Sequence, residues 1–134
     1  MNMSGLTTIR SHFDHKETLN RLDAAIKAQG MTVFARIDHA AGAAEAGLTL
    51  APTELIIFGN ARGGTPLMQS VQTVGIDLPL KALVWEDASG AILLSYNEPS
   101  WIAQRHDVAN AEPVVSKMAA VLSAMSRKAT ENAG

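Results

Sequence analysis

Asp38 and His39 stand where an apolar segment gives way to an alanine-rich one, and this pair is the first place to look for proton chemistry. A histidine in the first turn of a helix feels the partial positive charge of the helix start, which disfavours its protonated form. His39 is then available as a neutral base or ligand, Asp38 is its neighbour, and His106 is a third group that folding can bring close. Converging in a cleft, the three supply the acid–base chemistry of a hydrolase or isomerase. A competing reading makes Asp38 a helix N-cap, His39 a surface residue and His106 a hydrogen-bonded structural residue.

Gly59-Asn60-Ala61-Arg62-Gly63-Gly64-Thr65-Pro66 is the second candidate. Glycines let a backbone approach a ligand closely, a helix start offers free N–H groups, and Arg62 adds a fork of donors. Asn60, Arg62, Gly63, Gly64 and Thr65 together suit a phosphate or carboxylate. The segment is not a nucleotide-binding P-loop, because no Lys-Ser/Thr follows the glycines. Its plainer reading is a flexible connection in which Asn60 takes a left-handed turn position.

Other constellations are thinner. The four histidines never show the paired helical spacing of a zinc protease, and His12 and His15 flank Asp14 from a strand and a helix, so they are expected to point apart. No metal site and no cofactor is expected. Glu54, Glu86 and Asp87 sit at strand ends, where carboxylates are ordinarily solvated. No Gly-x-Ser-x-Gly elbow is present.

The elements that must position these groups follow from periodicity and stop signals. Leu6 to Phe13 alternates as a strand, and Asp14 stands three residues before Glu17, the spacing of a capping box. Leu19, Leu22, Ala25 and Ile26 recur at helical period up to Gly30. Met31 to Ile37 reads as a strand and His39 to Ala46 as a short helix capped by Asp38 and closed by Gly47. Leu55-Ile56-Ile57-Phe58 is a continuous apolar run, which predicts a strand covered on both faces. Thr65 followed by Pro66 predicts a helix start. Leu80 to Glu86 and Ala91 to Tyr96 flank Asp87-Ala88-Ser89-Gly90, a hairpin. A short helix runs through Trp101 and Ile102, and a last one from Ala111 to Lys128 puts Val114, Met118, Val121, Leu122 and Met125 on one face. This order predicts a single α+β domain over residues 1–134, an antiparallel-leaning sheet packed on helices. Both faces of the Leu80–Glu86 strand are largely apolar, so one of them needs a helix layer and the other a partner subunit or a pocket.

Composition sets the outer bounds. With 134 residues, 47% of them apolar and 18% charged, the chain suits one folded domain rather than disorder. The absence of cysteine excludes disulfides, thiolate metal sites and a cysteine nucleophile. A net charge of −2 without a basic cluster argues against nucleic acid as a partner, and no apolar run is long enough to span a bilayer. The first residues do not read as a secretory signal, so a cytoplasmic location is expected.

Several segments taken together carry a family likeness. They are Glu17-Thr18-Leu19 with Arg21-Leu22, Phe34-Ala35-Arg36-Ile37-Asp38-His39-Ala40, Ala46-Gly47-Leu48 and Glu54 through Asn60. Gly64-Thr65-Pro66-Leu67-Met68, Asp77 through Lys81, Val84-Trp85-Glu86-Asp87, Tyr96-Asn97 and Arg105-His106 continue it. In this ordered set, from about Phe13 to His106, the chain resembles the uncharacterised family called domain of unknown function 302. The resemblance implies a two-layer fold similar to the TATA-binding-protein-like architecture and a homodimeric assembly, and it implies no activity. The reading that follows is a homodimeric binding module for a small anionic ligand, with a site where Asp38, His39, Asn60, Arg62 and His106 are expected to come together, and with acid–base catalysis or a purely structural dimer as alternatives.

Overall fold

A computed structural model describes residues 4–132. Five strands form one fully antiparallel sheet: β1 (Leu6–Arg10), β2 (Thr32–Asp38), β3 (Thr53–Gly59), β4 (Leu80–Glu86) and β5 (Ile92–Asn97), in the order β1-β5-β4-β3-β2. The helices are α1 (His15–Ala28), α2 (His39–Glu45), α3 (Ala61–Ser70), α4 (Pro99–Arg105) and α5 (Glu112–Thr130), with a 3₁₀ turn at Gln72–Ile76. The α+β class read from the element order is the class observed.

Local chemistry explains the boundaries. The Asp14 carboxylate accepts the Glu17 N–H at 2.8 Å and starts α1. Asp38 does the same for α2, accepting from the Ala41 N–H at 2.9 Å. The hairpin between β4 and β5 is organised by Asp87, whose Oδ1 accepts from the Ser89 hydroxyl, the Ser89 N–H and the Ala91 N–H. The Ser89 hydroxyl, and next the Ala91 N–H, hold the Asp87 carboxyl below its ordinary range. A carboxylate with a lowered folded pKa contributes stability above its unfolded pKa and loses it as pH falls through the folded value. Asp87→Ala should therefore lower the melting temperature at neutral pH and converge on wild type in acid. A deficit that is the same at both ends of a pH series would contradict this role.

The register divides the sheet into two unlike faces. Ile56, Phe58, Ala82, Val84 and Leu94 are buried on one, beneath Leu19, Leu22 and Ile26 of α1 and Leu122, Met125 and Ala129 of α5. Buried hydroxyls in this layer are answered locally: Ser126 donates to the Leu122 carbonyl and Thr130 to the Ser126 carbonyl, each at 2.7 Å. The other face carries Ala35, Ile37, Leu55, Ile57, Leu83, Trp85 and Leu93, and neither α1 nor α5 lies on it. The expectation that β3 is covered on both faces holds unequally: no β3 residue is exposed, but Ile56 and Phe58 are buried whereas Leu55 and Ile57 are half-buried. A continuous apolar run records that both sides avoid water, not that the same chain covers both. A smaller core of Leu67, Val74 and Ile102 joins α3, the 3₁₀ turn and α4 to the first half of α5.

The start of α3 is corrected. The helix begins at Ala61, a turn before Thr65, because Asn60 is its N-cap: Oδ1 accepts the Gly63 N–H at 2.6 Å. Asn60 has φ −146°, extended rather than left-handed. Pro66 consequently lies inside the helix, where it has no N–H to offer the Arg62 carbonyl.

Candidate functional site

Strand direction decides which candidate residues can meet. In the β2–β3 ladder Asp38 is opposite Glu54 and Thr32 is opposite Gly59, so Asp38 and Asn60 leave opposite ends of the sheet. Five residue steps at about 3.4 Å each, roughly 17 Å, separate Glu54 from Gly59 along β3. α3, the 3₁₀ turn and α4 all adjoin the Gly59 end, because Leu80 pairs with Phe58 and Tyr96 with Ala82. His106, following α4, belongs to that end as well. The proposed catalytic trio of Asp38, His39 and His106 is therefore split across the length of the sheet, and acid–base chemistry shared by all three is not available. The reason is topological: antiparallel neighbours place the end of one strand beside the start of the next.

Each member of the trio has a local occupation. Asp38 caps α2, and His39 is exposed in its first turn. His106 is held between two groups, Nε2 to Asp77 Oδ2 at 2.6 Å and Nδ1 to Thr73 Oγ1 at 2.9 Å. Arg105 Nη1 reaches both oxygens of the same Asp77, at 2.8 and 3.0 Å. Asp77 thus ties the end of α4 to the segment leading into β4. His15 bonds the Val84 carbonyl through Nε2, His12 is exposed, and Glu54 pairs with Arg36 at 3.1 Å. Among the described residues no three histidine or carboxylate side chains gather closely enough to hold a metal ion.

The second candidate segment fares differently. Asn60, Arg62, Gly63, Gly64 and Thr65 all line one cavity of about 750 Å³ between α3, α5 and the Gly59 end of the sheet. Its remaining walls are mainly apolar, among them Met31, Phe34, Met68, Leu78, Met118 and Val121. The charged residues on its lining are Arg62 and Lys117. Both are exposed, and neither makes an ion pair among the described residues. Asn60 Oδ1 occupies the Gly63 N–H, while the Ala61 and Arg62 N–H groups precede any acceptor within the helix. The positive end of the α3 dipole and two cations therefore bias one apolar cavity toward negative charge.

Lys117 escaped the sequence reading, and so did the place of Met31, Met68 and Met118 in a cavity wall. Met118 and Val121 were legible only as an apolar helix face, and nothing in their spacing distinguishes a cavity wall from a core. Phe34 was part of an ordinary strand pattern. It falls at a register shift between Val33 and Ala35, which leaves it 56% exposed at the cavity.

Comparison with known proteins agrees with this architecture. A family model described as domain of unknown function DUF302 matches residues 7–125. Two Brucella proteins, each called fluoride-specific ion channel FluC 1, are 54% identical to the chain over 114 residues, 85% of its length. One is from Brucella suis biovar 1 (strain 1330) and the other from Brucella abortus biovar 1 (strain 9-941). The match spans only 45% and 42% of those proteins, so the chain corresponds to less than half of each. No helix among the described residues is long and apolar enough to cross a membrane. The crystal structure of an uncharacterized conserved DUF302 protein from Bacillus stearothermophilus superposes with a TM-score of 0.85 at 18% identity, covering 95% of this chain and 99% of that one. That likeness establishes the shared fold, and with the family match it leads to one conclusion: the chain belongs to the DUF302 family.

Proposed function

We propose that this chain is a small homodimeric binding module whose cavity beside α3 takes a small anionic ligand. The observation that supports this most is the charge of the lining: two cations and no carboxylate, in a cavity whose size is ordinary for small-molecule sites. A thermal-shift screen against anionic metabolites tests it. Concentration-dependent stabilisation that is lost in Arg62→Ala is the expected result. The absence of any stabilising anion would remove the reading.

The assembly part of the proposal draws on the bare face of the sheet. Three of its polar side chains answer one another: Trp85 Nε1 donates to Ser95 Oγ at 2.9 Å, and Ser95 Oγ shares a 2.8 Å bond with Thr8 Oγ1. What remains is chiefly Ile37, Leu55, Ile57, Leu83 and Leu93, with Lys81 and Arg10 on the same face, an antiparallel surface that offers apolar area for a two-fold contact with its own copy. Leu83→Glu sets like charges across such a contact and is expected to convert dimer to monomer in analytical ultracentrifugation. A wild type that sediments as a monomer at all concentrations would dismiss the dimer.

The name of the Brucella relatives favours a second reading, a role beside a fluoride channel. The matched part has no membrane-crossing helix among its described residues, so we infer that the channel of those proteins lies in the part this chain does not match. A cavity of about 750 Å³ with apolar walls does not suit a monatomic anion, which makes contact with the channel, rather than fluoride binding, the content of this reading. Saturable association of the purified chain with the unmatched portion of the Brucella suis protein is its expected sign, and no association at any concentration refutes it.

A further inference from the structure

We propose that the cavity selects a single-chain amphiphile, an unbranched hydrocarbon ending in one carboxylate, with the chain inside and the head at the rim. This deepens the anion-site reading and rests on it. The placement of polarity carries the argument. Leu80 is buried and Met31, Met68, Leu78, Met118 and Val121 are half-buried in the lining, whereas Arg62 and Lys117, its two cations, are exposed, together with Phe34, Pro66, Pro79 and Pro113. A small inorganic anion at the rim leaves the apolar walls in contact with water. A nucleotide or sugar phosphate needs many polar partners along its body, and the lining offers chiefly Thr65 and an Asn60 whose Oδ1 is already engaged. A hydrocarbon chain is the body that such walls desolvate without loss. Met31, Met68 and Met118 are unbranched and polarizable, so the walls adapt to chains of differing length rather than to one rigid shape.

The segment bearing the head site is poised to respond. The first turns of α3 contain Gly63, Gly64 and Pro66, three of the poorest helix formers, and its one buried residue, Leu67, comes late. An amphiphile packed along Met68 and Pro66 with its carboxylate at Arg62 adds the apolar cover and the counter-charge that this half of the helix lacks.

Calorimetric titration with hexanoate, octanoate and decanoate below their micelle-forming concentrations, alongside decanol, decylamine and inorganic phosphate, is the test. Each added methylene should tighten binding by about fourfold until the cavity is full. Arg62→Ala/Lys117→Ala, which alters exposed side chains and should leave the melting temperature unchanged, is expected to weaken decanoate by about tenfold while leaving decanol as it was. Amide exchange at Gly63 and Gly64 should slow on decanoate binding. Phosphate binding as tightly as decanoate overturns the amphiphile assignment and leaves the anion site standing. Decylamine binding as tightly as decanoate overturns both, and the absence of binding by every probe overturns the amphiphile assignment.

Discussion

Phe58→Ala is expected to lower the free energy of unfolding by about 3–5 kcal/mol. Phe58 is 0% exposed, pairs with Val33 on one side and Leu80 on the other, and packs in the layer between the sheet and α1 and α5. Its removal forfeits the transfer energy of the ring and leaves a cavity that rigid strand pairing on both flanks prevents from closing. Domains of this size are stable by only about 5–15 kcal/mol, so the variant should sit near the edge of folding. The corresponding drop in melting temperature is about 10–20 °C, measured with urea unfolding as the independent check. Ile57→Ala, one residue away on the bare face, is the informative control: its cost should be smaller in dilute protein. A cost at Ile57 equal to that at Phe58 and independent of concentration would mean that the two faces are not as unlike as the register implies.

Gly5→Ala is the second large effect, and its origin is different. Gly5 has φ +76°, and a Cβ built there lies 2.6 Å from Trp101 Cβ and closer still to Cγ and Cδ1 of the same ring. Those atoms are the root of a bulky side chain, not a flexible tip that swings aside cheaply. The Gly5 carbonyl also accepts the Glu98 N–H at 2.7 Å, so the glycine pins the start of α4 to β1. Overpacking costs about 1–3 kcal/mol and a side chain in left-handed backbone roughly 1–2 kcal/mol, together about 2–5 kcal/mol. Gly90→Ala shares the positive φ but meets nothing within 4 Å, so its cost should be the backbone part alone. Chemical denaturation of the two variants separates the terms, and equal losses would rule out the contact with Trp101. The Trp101 fluorescence maximum should shift in Gly5→Ala and stay put in Gly90→Ala.

The cavity gives these structural numbers a functional setting. Met31, Leu78, Met118 and Val121 pack against the main core and line the cavity at once. Residues on the bare face lie on the other side of the sheet. The proposed ligand site and dimer face are therefore separable by mutation: Arg62→Ala should leave the assembly intact, and Leu83→Glu should leave the cavity's lining residues in place.

Much of the fold was written in short-range chemistry. Asp14 and Glu17, Asp38 before its alanines, and Asp87 through Gly90 mark boundaries because a side-chain oxygen and a nearby N–H are neighbours along the chain, and no distant contact is needed to form the bond. Helical period likewise foretold Leu22, Ile26, Leu122 and Met125 as buried. The Asn60–Gly63 cap was missed because the same tetrapeptide competes with a second plausible start at Thr65 and Pro66. Packing of Leu67 and Val74 into the smaller core accompanies the earlier start. Whether Asp38, His39 and His106 meet, and that Lys117 joins Arg62 across more than fifty residues, depend on strand order and direction. Those are set by the cooperative burial of Ile56, Phe58, Val84 and Leu94 under two helices, a balance struck over the whole molecule that no single segment encodes.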